Sequence, residues 1–259
     1  MVSLPHVQGG KPMGDLPLAG QVALVTGAAK RIGRSIALRL GAEGADVVVN
    51  YSTSELEAEQ VVSEIRKLGQ RARAIRANVS RAAEVEAMFA EVDREFGRLD
   101  ILVNNAGKFF AANFLDLTES QWDDIMDTNL KSQFLCAQTA ARIMNRSMKV
   151  GVRGRIVNLS SLGGLLAWPK FTHYCVSKAG VIMLTRCLAR ALAPEILVNS
   201  VAPGTIQFPG ELPDEDYIHR APLGRTGTGE DIAEAVLFFV KTEFVTGQVL
   251  AVDGGRMLT

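Results

Sequence analysis

The chain has 259 residues, 47% of them hydrophobic and 22% charged, an ordinary balance for a globular protein. Its 28 lysines and arginines match its 28 aspartates and glutamates, so no net field draws it to nucleic acid or to an anionic membrane, and any cationic site has to be local. No run approaches the roughly 18 apolar residues of a membrane span. Three cysteines (Cys136, Cys175, Cys187) and three scattered histidines (His6, His173, His219) show neither disulfide nor metal spacing, so the expectation is a cytoplasmic protein without a metal.

Residues 1–17 hold Pro5, Gly9, Gly10, Pro12, Gly14 and Pro17 without an apolar stretch, which predicts a flexible N-terminal extension and not a signal peptide. One domain is expected over 18–259, a common size for a doubly wound α/β unit. It opens with an apolar strand at Gln21–Val25, a small-residue turn from Thr26 to Gly33, and a helix over Arg34–Glu43 with Ile36, Leu38 and Leu40 at helical spacing. Glycines let the backbone approach a ligand, and a helix N-terminus offers free N–H groups to an anion. The turn therefore predicts a pyrophosphate site around Gly27 and Gly33, with Arg31 where a middle glycine is often found.

A second strand at Ala45–Asn50 leads to a helix over Ser54–Leu68, a weaker strand spans 73–79, and another helix follows at Ala82–Phe96. The end of the second strand reads Asn50-Tyr51-Ser52, without the Asp or Glu that binds the ribose hydroxyls of NAD. With Lys30 and Arg31 in the turn, two cations and a missing carboxylate favour NADP(H). The next strand, from Leu99, runs into the turn Asn104-Asn105-Ala106-Gly107, and one long helix is expected over Ser120–Asn145 with Asn129 and Lys131 at its centre. A fifth strand at Arg155–Ser160 precedes Ser161, and a helix over Phe171–Leu192 closes before Pro194. A sixth strand at Leu197–Ala202 is broken by Pro203-Gly204. Residues 205–229 hold three prolines and several glycines and predict a lid with one short helix. A helix at Asp231–Val240 and a strand at Gln248–Val252 complete the alternation, and Asp253 is expected to tie down the C-terminus.

The sharpest chemical signal is Tyr174-Cys175-Val176-Ser177-Lys178. Positions i and i+4 share a helix face, so phenol and ammonium point the same way, and a fixed cation draws the tyrosine pKa toward the working range. Ser161, at the carboxyl end of the preceding strand, can donate to a substrate oxygen. Cys175 lacks an activating base and reads as a packing residue, and His173 as loop chemistry.

Thr26-Gly27 to Gly33, Asn104-Asn105-Ala106-Gly107, Asn129, Ser161, Tyr174-x3-Lys178, Pro203-Gly204 and Asp253-Gly254-Gly255 together resemble the short-chain dehydrogenase/reductase family over about Leu18–Thr259. The resemblance implies a Rossmann-type, doubly wound α/β fold: a seven-stranded parallel sheet with helices on both faces. It implies a tetrad in which Tyr174 is the general acid/base, Lys178 binds the nicotinamide ribose and lowers the Tyr174 pKa, Ser161 orients the carbonyl, and Asn129 holds a relay water. NADP(H) would then contact Gly27, Lys30, Arg31, Ile32 and Gly33; Asn50, Tyr51 and Ser52; Asn78 and Val79; Asn105, Ala106 and Gly107; and Pro203, Gly204, Thr205 and Ile206, besides Tyr174 and Lys178.

Two subfamilies compete. TGAAKRIGRSI over Thr26–Ile36 is similar to the turn of pteridine reductases, and Phe109 falls where those enzymes stack a phenylalanine on the pterin; they carry Asp, however, where this chain has Ser161, and Ser where it has Gly107. The 3-oxoacyl-carrier-protein reductases share the Asn-Asn-Ala-Gly turn and the serine. The reading leans to an NADPH-dependent carbonyl reductase acting on a 3-oxoacyl or other ketone, keeps pterin reduction as the alternative, and places a catalytically silent NADP(H) sensor third. Phe109, Phe110, Ser161, Leu162, Trp168 and Phe208 would line the substrate pocket. Family members are commonly homotetramers, and the apolar faces of the two long helices predict one here.

Overall fold

The computed structural model describes residues 16–146 and 150–259. All of the expected extension but Leu16 and Pro17 lies outside the described residues. Strands β1 (Val22–Val25), β2 (Asp46–Tyr51), β3 (Ala72–Arg76), β4 (Ile101–Asn104), β5 (Gly154–Leu159), β6 (Ile196–Pro203) and β7 (Val249–Val252) form one sheet. Their order is β3-β2-β1-β4-β5-β6-β7 with every pair parallel, the Rossmann-type arrangement expected. The chain reverses direction across the sheet between β1 and β4, and in such sheets ligands bind beyond the strand ends at that point.

Both faces are covered. Alternate residues of a strand point to opposite faces, so Ala23 and Val25 of β1 pack with Ile36 and Leu40 of α1 (Arg31–Ala42), Val61 and Ile65 of α2 (Glu55–Lys67) and Ile232 and Val236 of α8 (Gly229–Lys241). Val22 and Leu24 pack the other way, with Val85 and Phe89 of α3 (Ala82–Phe96), Cys136 and Ala140 of α5 (Ser132–Met144) and Ala189 of α6 (Thr172–Leu192). A strand buried on both faces has no polar alternation, which is why its sequence reads as an unbroken apolar run. Among the described residues no helix is long and apolar enough to cross a membrane.

Three local differences from the sequence reading bear on the site. The first helix begins at Arg31, three residues early, so the turn is shorter than Thr26–Gly33 implied. The single helix expected over 120–145 is instead α4 (Glu119–Met126), a π-helical turn at Asp127–Lys131, and α5. The wide turn turns Asn129 into the interior, where it is fully buried. Third, β3 stops at Arg76, and Ala77, Asn78 and Val79 continue as a loop; the side-chain amide of Asn50 takes the carbonyls of Ile75 (3.3 Å) and Ala77 (3.1 Å). Residues 205–228 contain the one short helix expected, α7 (Glu215–Arg220). Asp253 ties down the C-terminus, accepting from the N–H groups of Gly255 (2.9 Å) and Met257 (2.8 Å).

Candidate active site

A cleft of about 960 Å³ lies along the carboxyl ends of the strands. Its floor at the β1–β4 switch point is a backbone cradle. Gly27 has φ 60°, and a Cβ there would meet the Ala106 Cα at 3.0 Å; a Cβ on Gly33 would run into the Gly27 carbonyl and, at 2.5 Å, the Asn105 amide nitrogen. Only glycine fits either place. Thr26 latches the two turns together, its hydroxyl accepting from the N–H groups of Asn105 (2.9 Å) and Ala106 (3.0 Å), while the Asn105 amide donates to the carbonyls of Thr26 (2.9 Å) and Gly27 (3.0 Å). No acidic residue stands in the first turn of α1, so its positive end faces the cradle uncompensated. The space and the charge fit a dinucleotide pyrophosphate.

The adenosine side departs from expectation in detail. Lys30, Arg31, Ile32, Asn50, Ser52, Asn78 and Val79 line the cleft, but Tyr51 does not. It is buried in the core between sheet and helices, because alternation along β2 points it away from the cleft side. Asn50 spends its side chain on structure, accepting from the Gly27 N–H (3.2 Å) besides its two donations across β3. The two cations are not free either: Lys30 pairs with Glu57 at 2.8 Å, and Arg31 with Glu211.

At the other end, Ser161, Tyr174 and Lys178 converge. The Ser161 hydroxyl accepts from the Gly163 N–H at 3.1 Å, which leaves its own proton to donate, and it is hydrogen-bonded to the Tyr174 phenol. Burial pushes the Tyr174 pKa up, and the bond to Ser161 pulls it part of the way back. Lys178 is 5% exposed, donates to the Leu159 carbonyl at 2.8 Å and lies 5.8 Å from the Tyr174 ring centre. Burial lowers its own pKa to about 8. Desolvation is the largest influence on the tyrosine and keeps its pKa above the ordinary value.

Asn129 does not reach the cleft. Its carbonyl oxygen accepts from the Lys108 N–H (2.7 Å), and its amide donates to the Lys108 carbonyl (3.0 Å) and the Ser177 hydroxyl (3.3 Å). It fastens the loop after β4 to the helix that carries Tyr174. Gly107, Leu162, Pro203, Gly204, Thr205 and Ile206 line the cleft as expected.

The substrate end is aromatic. Phe109, 59% exposed, stacks on Phe171 with ring centres 4.5 Å apart and planes within 2°, and meets Tyr174 edge-on at 4.7 Å; Trp168 lies parallel to Tyr174 at 6.1 Å. Phe208 also lines the cleft, but beneath the Arg31 guanidinium, 4.5 Å from its ring centre, and not among these aromatics. Phe110 turns away and packs on the fully buried His173, ring centres 4.8 Å apart, so neither belongs to the pocket. Sequence reading missed Phe171, taken only as a helix start, and the polar rim of Asp124, Thr128, Asp214, Arg220 and Arg256; helix-face and lid residues carry no motif. Among the described residues, no group of three or more His, Cys, Asp or Glu side chains is placed to hold a metal ion.

A family model described as enoyl-(acyl carrier protein) reductase matches residues 27–257. The 3-oxoacyl-[acyl-carrier-protein] reductase FabG of Staphylococcus aureus is 46% identical over 244 residues, covering 91% of this chain and 98% of that protein. A short chain dehydrogenase from Burkholderia cenocepacia, solved in complex with NADP, superposes with a TM-score of 0.86 at 37% identity, over 93% of this chain and 99% of the other. Acetoin dehydrogenase from Enterobacter cloacae gives a TM-score of 0.85 at 35% identity, over 92% and 96%.

Proposed function

Because this chain belongs to the short-chain dehydrogenase/reductase family of oxidoreductases, we propose that it uses NADPH to reduce ketones of the 3-oxoacyl type, with Tyr174 as the general acid. The observation that carries this reading is the contact of Ser161 with a Tyr174 phenol whose pKa is raised. A phenol kept protonated at neutral pH is ready to give its proton, which is what a carbonyl oxygen needs as it becomes an alkoxide.

The cradle of Gly27, Gly33 and Ala106 holds the cofactor, and Lys30 and Arg31 take its 2′-phosphate. When bound, NADPH supplies the hydride. The protein does the rest: the Ser161 hydroxyl turns its proton from the Tyr174 oxygen to the substrate oxygen, Tyr174 protonates that oxygen, and Lys178, anchored on the Leu159 carbonyl, supplies positive charge beside the phenolate that is left. Asn129 acts through position, holding Lys108 and Ser177 together. Residues 205–228 act as a lid. The aromatic group of Phe109, Trp168 and Phe171 shields the reacting carbon from water. Three free cysteines support a reducing, cytoplasmic setting, and apolar side chains exposed on α5 and α6 support a homotetramer.

Two features favour ketones over pterins. The face of Phe109 on which a pterin could stack is half spent on Phe171, and Ser161 offers a hydroxyl where proton delivery to ring nitrogens calls for a carboxylate. Initial-rate NADPH consumption with an acetoacetyl thioester and, in parallel, with dihydrobiopterin tests this. Thioester turnover with an inert pterin is expected; the reverse would overturn the ketone reading, and no NADPH oxidation with any aldehyde, ketone or pterin would point to a silent sensor.

A further inference from the structure

Aromatic rings from separate segments of the chain close on one another beside the two hydroxyls of the site. Phe109 belongs to the loop after β4, Trp168 and Phe171 to the turn before α6, and Tyr174 to α6 itself. Backbone bonds hold these segments together: the Ala112 N–H donates to the Lys170 carbonyl at 2.9 Å, the Phe171 N–H to the Trp168 carbonyl at 3.0 Å, and the Cys175 N–H to the Phe171 carbonyl at 2.8 Å. Phe109 and Phe171 lie parallel, and Trp168 stands at 81° to the first and 82° to the second, ring centres 6.4 and 6.1 Å away. These are spacings and tilts that aromatic pairs prefer. Gly163 makes the closure possible, since a Cβ there would stand 2.9 Å from the Trp168 ring and 3.0 Å from the Tyr174 ring.

Phe109 and Trp168 line the cleft, joined by Leu162 and Leu166. Both rings lie against the Tyr174 ring, their centres 4.7 and 6.1 Å from its own. Ser161 and Tyr174 fix where a carbonyl oxygen sits, so a group carried one carbon away from that carbonyl meets these two rings. An aliphatic group gains from such a wall only by leaving water. A flat ring gains the same and adds edge-on and offset ring contacts. Because the protein rings are already held, little order has to be created for those contacts to form.

We propose that this wall selects, among 3-oxo substrates, those with an aromatic ring close to the ketone, and that Phe109 and Trp168 are the specificity-determining residues. The inference rests on the ketone-reductase reading and names the substrate class within it. The chemistry is unchanged: a hydride from NADPH adds to the ketone carbon and the Tyr174 proton to its oxygen, giving a 3-hydroxyl, while the ring is untouched.

The test is kcat/KM for NADPH-dependent reduction of two thioesters of similar size, the N-acetylcysteamine esters of 3-oxo-4-phenylbutanoate and 3-oxo-4-cyclohexylbutanoate, by wild type, Trp168→Leu and Phe109→Leu. One methylene insulates each ring from the ketone, so the carbonyls are alike in reactivity and the rings differ in flatness. The wild type is expected to prefer the phenyl ester by about 3- to 10-fold, the worth of an aromatic contact beyond its buried area. In each variant that ratio should fall toward 1, and a general loss of folded enzyme would not move it. If the wild type turns over both esters without preference, or if the preference survives unchanged in both variants, the inference is overturned and the ketone reading stands. If neither these esters nor an acetoacetyl thioester is reduced, both readings are overturned.

Discussion

Tyr174 and Lys178 are shifted in opposite directions by one cause. Removing a group from water disfavours its charged form, so the phenol rises and the ammonium falls, to about 8. In the proposed reduction the phenol is the acid consumed, and a raised pKa keeps it loaded through neutrality. Lys178, by contrast, loses its charge as the pH climbs past about 8, and with it the stabilisation of the phenolate. Ketone reduction should therefore be flat from pH 6 to 7.5 and fall on an alkaline limb beginning near 8, measured as kcat/KM against pH. An activity that rises through that range would contradict the assignment. Tyr174→Phe should lower kcat by about 10²- to 10⁴-fold, the usual worth of general acid catalysis, while NADPH binding followed by nucleotide fluorescence stays intact.

At the scale of single elements, the start of α8 depends on one carboxylate. Asp231 accepts from the Thr228 N–H (2.7 Å) and hydroxyl (2.9 Å) and forms a two-pronged pair with Arg225 (2.8 and 2.9 Å). The Arg225 bond, joined by those from Thr228, holds its pKa well below the usual aspartate range. A depressed folded pKa contributes stability that is present above the unfolded value, about 3.9, and is lost as pH falls toward the folded one. Asp231→Asn should thus cost about 1–2 kcal/mol at pH 7, a difference that shrinks in urea melts taken at progressively lower pH below about 4. This element was legible in the sequence to within two residues, and Ala82–Phe96 to the residue, because apolar periodicity and the buried parallel strands are local signals. The π-helical turn at Asp127–Lys131 was not. No Gly or Pro marks it, and what holds it in place, Asn129 bonded to Lys108 and Ser177, comes from distant segments. The same limit hid the partner of Arg31 and the stacking of Phe171 on Phe109, while Ser161, Tyr174 and Lys178 could be found because their spacing places them on one helix face and one strand end.

On the scale of the whole molecule, the exposed apolar side chains include some on the long helices and on the last helix and strand. Phe134 of α5 and Val176 and Met183 of α6 are 43%, 42% and 55% exposed, beside a groove of about 350 Å³ that Phe134, Ala137, Leu188 and Leu192 line; Phe238 of α8 and Leu250 of β7 are 54% and 38% exposed. For the proposed dimer of dimers, with the α5 and α6 face as one of its interfaces, light scattering is expected to give four times the 27.9 kDa chain mass, falling to twice that mass in Phe134→Glu with Met183→Glu. A wild-type mass of one chain would refute the assembly. All the strands of the sheet run the same way, so the glycine cradle and Ser161, Tyr174 and Lys178 lie along one rim, while the opposite rim carries connections such as Gly97 before β4, where an added side chain would touch nothing within 4 Å. That rim is a natural handle: a dye or spin label attached through a cysteine introduced beside Gly97 would report on tumbling, assembly and surface immobilisation without a path to the chemistry.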